Sequence, residues 1–269
     1  MKTILITILA FFSTVIRLNP NVAQTVILNN DNQQNIVFDR QVIEYTPILE
    51  VQPSIVSKST VSTSSLWWRY PTNIQATTRD GNDLLVLVNK EYKLPQSYAP
   101  SDLVPASNSG IRLGEKFYLR NILIGDLQEM LTAARIDGID LSIVSAYRSY
   151  TTQINTYNYW VSANGGSIDA ADKVSARPGH SQHQLGTAID FSSNEIADGL
   201  SERFMNTNAS KWLVTNAWKY GFAISYPSGY ERITGYSYES WHYRYIGKTN
   251  AKEMHDSGMI LEKYLESKN

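Results

Sequence analysis

Between Ser181 and Asp190 the chain reads Ser-Gln-His-Gln-Leu-Gly-Thr-Ala-Ile-Asp, and this S-x-H-x-x-G-x-A-x-D pattern restricts the fold more than any other stretch. On a strand, Thr187, Ile189 and Phe191 point into a core while Ala188 and Asp190 face the other way. Asp190 is then presented on a rigid wall that the small Ala188 keeps open. Gly186 lets the backbone turn, so that His183, seven residues before Asp190, folds back to the same point.

A second cluster runs from Tyr238 to Tyr245 (Tyr-Glu-Ser-Trp-His-Tyr-Arg-Tyr). Trp241, Tyr243 and Tyr245 alternate with His242 and Arg244, which makes one face aromatic core and the other polar, with His242 facing a cavity. Two neutral imidazoles and a carboxylate form a three-ligand set suited to a catalytic zinc ion, where tetrahedral geometry leaves a fourth position for water. Glu239, three residues before His242, is placed to take a proton from that water and pass it to a leaving amine. Zinc lowers the pKa of water from about 15.7 to about 7, which makes hydroxide available at neutral pH. Taken singly, a strand histidine is more often a hydrogen-bonded structural residue, and Asp190 could cap a turn. Both patterns in one chain point to a metal site. Of the four histidines, His180 is read as a loop or supporting residue and His255 as structural.

The N-terminus reads as an export signal. Lys2 precedes the apolar run from Ile4 to Ile16, which is followed by Asn19-Pro20 and the small-residue stretch to Ala23. About thirteen residues fit a signal-peptide core and fall short of the roughly 20 needed to span a bilayer. Residues 1–23 are therefore expected to be a signal peptide, with an uncleaved membrane anchor as the rival. Their removal takes away Lys2 and Arg17 and no acid, leaving 22 basic against 25 acidic residues, a formal charge of −3. No basic run exists, so no nucleic-acid partner is implied. The absence of cysteine excludes disulfides, thiolate chemistry and a lipid-modified cysteine.

Residues 24–66, rich in Val, Thr, Ser, Gln and Asn without sustained periodicity, read as a linker or spacer, and the catalytic domain is expected over 67–269. Leu84 to Val88 reads as an apolar strand. Leu119, Ile122, Leu123, Leu127, Met130, Leu131 and Ala134 recur at helical spacing, and Leu141 to Ala146 reads as a strand. Further helices are expected over Tyr150–Val161, Lys211–Tyr220 and from Ala251 on, with strands near 186–192, 222–226 and 241–246. This irregular alternation predicts an α+β fold: a small antiparallel sheet with flanking helices, carrying the zinc site.

These residues, over roughly 83–265 and including Tyr147-Arg148-Ser149, resemble the VanY-type D-alanyl-D-alanine carboxypeptidases, zinc peptidases that share a metal-site fold with murein endopeptidases and the hedgehog signalling domain. The resemblance implies His183, Asp190 and His242 as zinc ligands and Glu239 as catalytic base. It implies Arg148 as a catalytic and substrate-binding cation, suited to an anionic substrate or transition-state oxygen. Gln153 and Ser181 match positions of substrate contact. Ala146 replaces the usual glycine, and Gln182 stands where an acid is common. The implied activity is removal of the C-terminal D-Ala from peptidoglycan stem peptides by an extracytoplasmic monomer with one Zn2+. The alternatives are an L,D-carboxypeptidase on tetrapeptide stems and a non-catalytic zinc-containing wall-binding module.

Overall fold

The computed structural model describes residues 66–269. The expected signal segment at 1–23 and, apart from Leu66, the spacer at 24–66 lie outside the described residues. In chain order the strands are β1 (Gln75–Ala76), β2 (Tyr92–Lys93), β3 (Leu103–Pro105), β4 (Tyr118–Arg120), β5 (Leu141–Ser145), β6 (Ala188–Ser193), β7 (Phe222–Ile224) and β8 (His242–Tyr245). The α-helices are α1 (Ile124–Ile136), α2 (Tyr150–Ala163), α3 (Ile168–Val174), α4 (Asn208–Asn216), α5 (Glu231–Thr234), α6 (Lys248–Ser257) and α7 (Leu261–Glu266). β1 and β2 pair in parallel, β3 and β4 antiparallel, and the remaining four strands form one antiparallel sheet in the order β5-β6-β8-β7. This is the expected α+β architecture. Among the described residues no helix is long and apolar enough to cross a membrane.

One face of the four-stranded sheet builds the main core. Leu127, Met130, Leu131 and Ala134, spaced as one stripe of α1, are buried in a cluster with Ile143, Ile189, Phe191, Phe222, Tyr243 and Tyr245 from the sheet and Leu213 from α4. The period-two pattern of the two sequence clusters thus reads correctly: Ile189 and Phe191 on β6, and Tyr243 and Tyr245 on β8, supply the core. Their neighbours Asp190 and His242 are left for the opposite face.

Two expectations need correction. Leu84 to Val88 is not a strand: its segment starts in a turn, where Asp83 Oδ1 accepts from Leu85 N at 2.8 Å. The carbonyls of Leu84 and Val86 instead accept from Arg244 Nη2 at 2.9 and 2.7 Å. Val86 and Val88 pack with Leu94 and Leu185, while Leu87 joins a separate cluster with Leu261, Tyr264 and Leu265 of α7. The run is apolar because it is wedged between two small cores. The helix begun at Leu119 in the periodicity reading starts only at Ile124, since Leu119 lies on β4 paired to Val104. Ile122 is half exposed.

Phe191, fully buried, touches Phe222 and Tyr243 edge-on at centroid distances of 6.3 and 5.8 Å. Phe191→Ala should lower the unfolding free energy by about 3–5 kcal/mol, measured by denaturant titration. A loss below about 1 kcal/mol, the level of a volume-conserving exchange, would contradict this packing.

Candidate metal centre

In the β6–β8 ladder Asp190 stands directly opposite His242, and Ile189 opposite Tyr243. Cross-strand partners share a face, so the register that sends Tyr243 into the core also sets the Asp190 carboxylate beside the His242 imidazole. Asp190 Oδ1 lies 2.8 Å from His242 Nδ1, and Oδ2 lies 3.2 Å from His183 Nε2. His183 sits in the short 3-10 turn Gln182–Leu185, which closes at Gly186 in a left-handed conformation (φ +69°). A side chain at Gly186 would press to 3.0 Å against both Arg120 Cγ and Leu103 Cδ2, so glycine is required there for shape as well as for φ. The turn is tied to the segment after β5: His183 Nδ1 lies 2.6 Å from Ala146 O, and His183 O accepts from Arg148 N at 3.2 Å.

Ligand atoms from His183, Asp190 and His242 all lie within 4.8 Å of one another, and all three residues are buried. The His183 Nδ1–H donates to Ala146 O, which leaves the Nε2 lone pair directed at Asp190. The two imidazoles meet edge to face, 4.9 Å between centroids and 85° between planes. Two nitrogen donors and one carboxylate oxygen converging on one point, with a bonded acceptor behind the His183 ring, fit a divalent ion of the zinc type.

The electrostatics agree with that donor set. Burial, with Arg148 nearby, pushes the His183 imidazole down to about 4, so it is neutral and able to ligate at neutral pH. Burial pushes the Asp190 carboxyl up, but His183 and His242 outweigh it and hold the group well below the usual carboxylate range. Glu239 is different. Its burial, reinforced by the Asp190 charge and opposed by Arg148, raises its carboxyl well above the usual range. Glu239 Oε2 is 3.7 Å from His242 Nδ1, and its side chain keeps 15% exposure, which leaves it open to a water in the cleft. A carboxyl whose pKa is raised beside a donor set is the arrangement a general acid–base group needs.

The sequence-predicted residues separate into those that line the cleft and those behind it. Arg148, Ser181, His183, Asp190, Glu239 and His242 all line one cavity of about 340 Å³. Arg148 donates from Nε to Gln153 Oε1 at 3.0 Å and from Nη1 to Ser145 Oγ at 3.1 Å, which leaves Nη2 without a partner among the described residues. Burial lowers its pKa, while Asp190 and Glu239 work against that shift; an arginine remains charged throughout. Gln153 is fully buried and does not line the cleft. Its amide is spent on Arg148 and on Ala176 O at 2.7 Å, so in this structure it supports the guanidinium instead of facing substrate. Ser181 lines the cleft, and its hydroxyl also caps the turn by accepting from His183 N at 3.3 Å. His180 packs under the loop, its Nδ1 2.8 Å from Asn89 O and its ring edge-on to Tyr70. His255 stacks on Trp218 at 3.9 Å, far in role from the metal set.

Sequence reasoning missed Tyr226, whose ring lies 4.9 Å from that of His242, and the part played by Gln182. Tyr226 falls two residues past β7 with no motif around it, so only the folded sheet brings it to the cleft.

A buried diimidazole–carboxylate set on the open face of an antiparallel sheet, with Glu239 and Arg148 in the same cleft, defines a mononuclear metallopeptidase. Residues 116–248 match the family model of VanY, D-alanyl-D-alanine carboxypeptidase. The Bacillus subtilis (strain 168) protein YodJ is 42% identical over 192 residues, covering 71% of this chain and 70% of YodJ. The solved structure of the LdcB LD-carboxypeptidase is similar with a TM-score of 0.64 and 42% identity, over 70% of this chain and 88% of LdcB. A mutant of the D,D-pentapeptidase VanY from a VanB-type resistance cassette, solved in complex with Zn(II), is similar with a TM-score of 0.56 and 30% identity, over 67% of this chain and 98% of that one. The chain belongs to the VanY D-alanyl-D-alanine carboxypeptidase family.

Asp190→Ala removes the carboxylate that both imidazoles face. Elemental analysis of the purified variant should show zinc falling from about one per chain to near zero. Full zinc occupancy in this variant would place the ion elsewhere.

Proposed function

We propose that this chain is a zinc-dependent carboxypeptidase that releases the C-terminal D-Ala of peptidoglycan stem peptides. The observation that carries the proposal is Glu239, a carboxyl with a raised pKa, standing in one cleft with the donor set of His183, Asp190 and His242 and with Arg148. The zinc-bearing VanY neighbour supports the choice of ion. His183 Nε2, a carboxylate oxygen of Asp190 and His242 Nδ1 would hold it. When bound, zinc supplies the Lewis acidity that makes water a competent nucleophile at neutral pH.

The remaining work falls to the protein's own groups. Glu239 takes a proton from the attacking water and delivers it to the nitrogen of the departing D-Ala. Arg148, fixed through Nε and Nη1, offers its remaining edge to an anion, either the free carboxylate of the substrate or the oxygen that gains charge at the scissile carbonyl. Gln153 serves substrate binding by holding that guanidinium, and Ser181 lies at the cleft wall beside His183. A purely structural zinc needs no neighbouring base, so Glu239 also disfavours a non-catalytic wall-binding module. A wall substrate and the export signal expected at residues 1–23 support a location outside the cytoplasmic membrane, secreted or tethered by the N-terminal segment, and we take the enzyme to act as a monomer.

Two bonds fit this chemistry. The family model favours the D-Ala-D-Ala bond of pentapeptide stems. The greater likeness to LdcB than to the D,D-pentapeptidase, 42% against 30% identity, favours the L,D bond of tetrapeptide stems as a second reading. Incubating zinc-loaded enzyme with each stem and quantifying free D-Ala separates them. Release from the pentapeptide supports the first and from the tetrapeptide the second; release from neither contradicts the proposal.

Glu239→Gln keeps the shape of the side chain and removes its base. It should retain zinc while kcat falls by about 10²–10⁴-fold, followed by D-Ala release under saturating substrate. Activity within a few fold of wild type would take Glu239 out of the mechanism.

A further inference from the structure

The second imidazole needs what the first one has. If His242 offers Nδ1 to the ion, the proton of the ring must sit on Nε2, and that buried N–H needs an acceptor. Gln182 Oε1 stands 3.2 Å from His242 Nε2. The same oxygen accepts from Ser225 Oγ at 2.7 Å. Gln182, Ser225 and His242 are exposed by only 3%, 1% and 3%, so these bonds are largely shielded from water. Ser225 is itself registered on His242, since its backbone N–H donates to the His242 carbonyl at 3.1 Å.

We infer that Gln182, held by Ser225, is a positioning residue that fixes the tautomer and ring orientation of His242 so that Nδ1 faces the metal. An amide could turn either end toward the imidazole. The Ser225 hydroxyl donates onto Oε1 and so holds the acceptor end in place, and the His242 Nε2–H completes the pair. His183 obtains the same service from a backbone carbonyl, Ala146 O, which cannot turn. The two ligands are thus oriented by different devices, one built into the β5–α2 connection and one dependent on side chains from two separate segments. Outer partners of this kind commonly contribute 10–100-fold to metal affinity.

This inference rests on the ligand role given to His242 and not on the substrate assigned to the enzyme. The test is zinc affinity by competition with a chromophoric chelator, with thermal unfolding of the metal-free proteins measured alongside. Gln182→Leu, which removes the acceptor at similar size, should weaken zinc binding by about 10–100-fold, and Ser225→Ala should weaken it in the same direction by less. Gln182→Glu, which keeps an acceptor oxygen, should bind zinc no more weakly than wild type. Metal-free Gln182→Leu, which orphans the buried Ser225 hydroxyl and His242 N–H, should unfold below wild type, so zinc affinities are compared at a temperature where both metal-free forms are folded. Wild-type affinity in Gln182→Leu, or affinity as poor in Gln182→Glu as in Gln182→Leu, overturns the inference alone. A wild-type chain that binds no zinc overturns it together with the ligand set, whereas intact zinc binding without D-Ala release overturns only the proposed activity.

Discussion

The register between β6 and β8 governs most of what this domain can do. Asp190 faces His242 across the ladder because Ile189 faces Tyr243, and that second pair is held by the core. A slip of one residue would bury Asp190 among aromatic rings and turn Ile189 to the cleft, so hydrophobic packing and metal-site geometry are one constraint. The helices α1 and α4 support the far side of the sheet, which makes the wall under the site rigid. Loops carry the other cleft residues: His183 on a 3-10 turn, Arg148 at the mouth of α2, and Glu239 on the approach to β8.

Each of those loop residues is tethered close to its functional atom. His183 is bound through both its carbonyl and its ring to the connection after β5, and Arg148 shares that connection, so the candidate ligand and the cleft cation are fixed to one segment. Glu239 is tied by its own N–H to Tyr226 O and by its carbonyl to His242 N, which couples the proposed acid–base group to the second candidate ligand. The charges in the cleft balance locally. Asp190 is stabilised by two imidazoles, whereas Glu239 has only Arg148 against burial and the Asp190 charge, and the two carboxyls are driven in opposite directions. That divergence separates the candidate ligand from the proposed proton carrier without any difference in side-chain chemistry beyond one methylene.

Much of this was legible in the sequence because period-two alternation is a local property. Thr187 to Phe191 and Trp241 to Tyr245 declare which side chains face the core, and the glycine at 186 marks the turn that returns His183 to the sheet. What stayed hidden depends on distant partners. The Leu84–Val88 run has the composition of a strand, but its carbonyls are claimed by Arg244 from β8, and no sheet edge is offered to it. Leu119 fits the helical stripe numerically, yet pairing with Val104 draws it into β4. Gln153 looked like a substrate contact from its place in the family pattern, and only the fold shows its amide spent on Arg148 and Ala176. Gln182 lay inside the most informative motif, but its partners Ser225 and His242 come from 43 and 60 residues away.

The central claim is that one ion is held by His183 Nε2, an Asp190 carboxylate oxygen and His242 Nδ1. An anomalous difference map collected at the zinc absorption edge from crystals of the zinc-loaded protein addresses it directly. The account predicts a single strong peak about 2.0–2.2 Å from each of those three atoms, with the fourth position open to the cleft that holds Glu239. A peak coordinated through His242 Nε2, or one that omits Asp190, would contradict it.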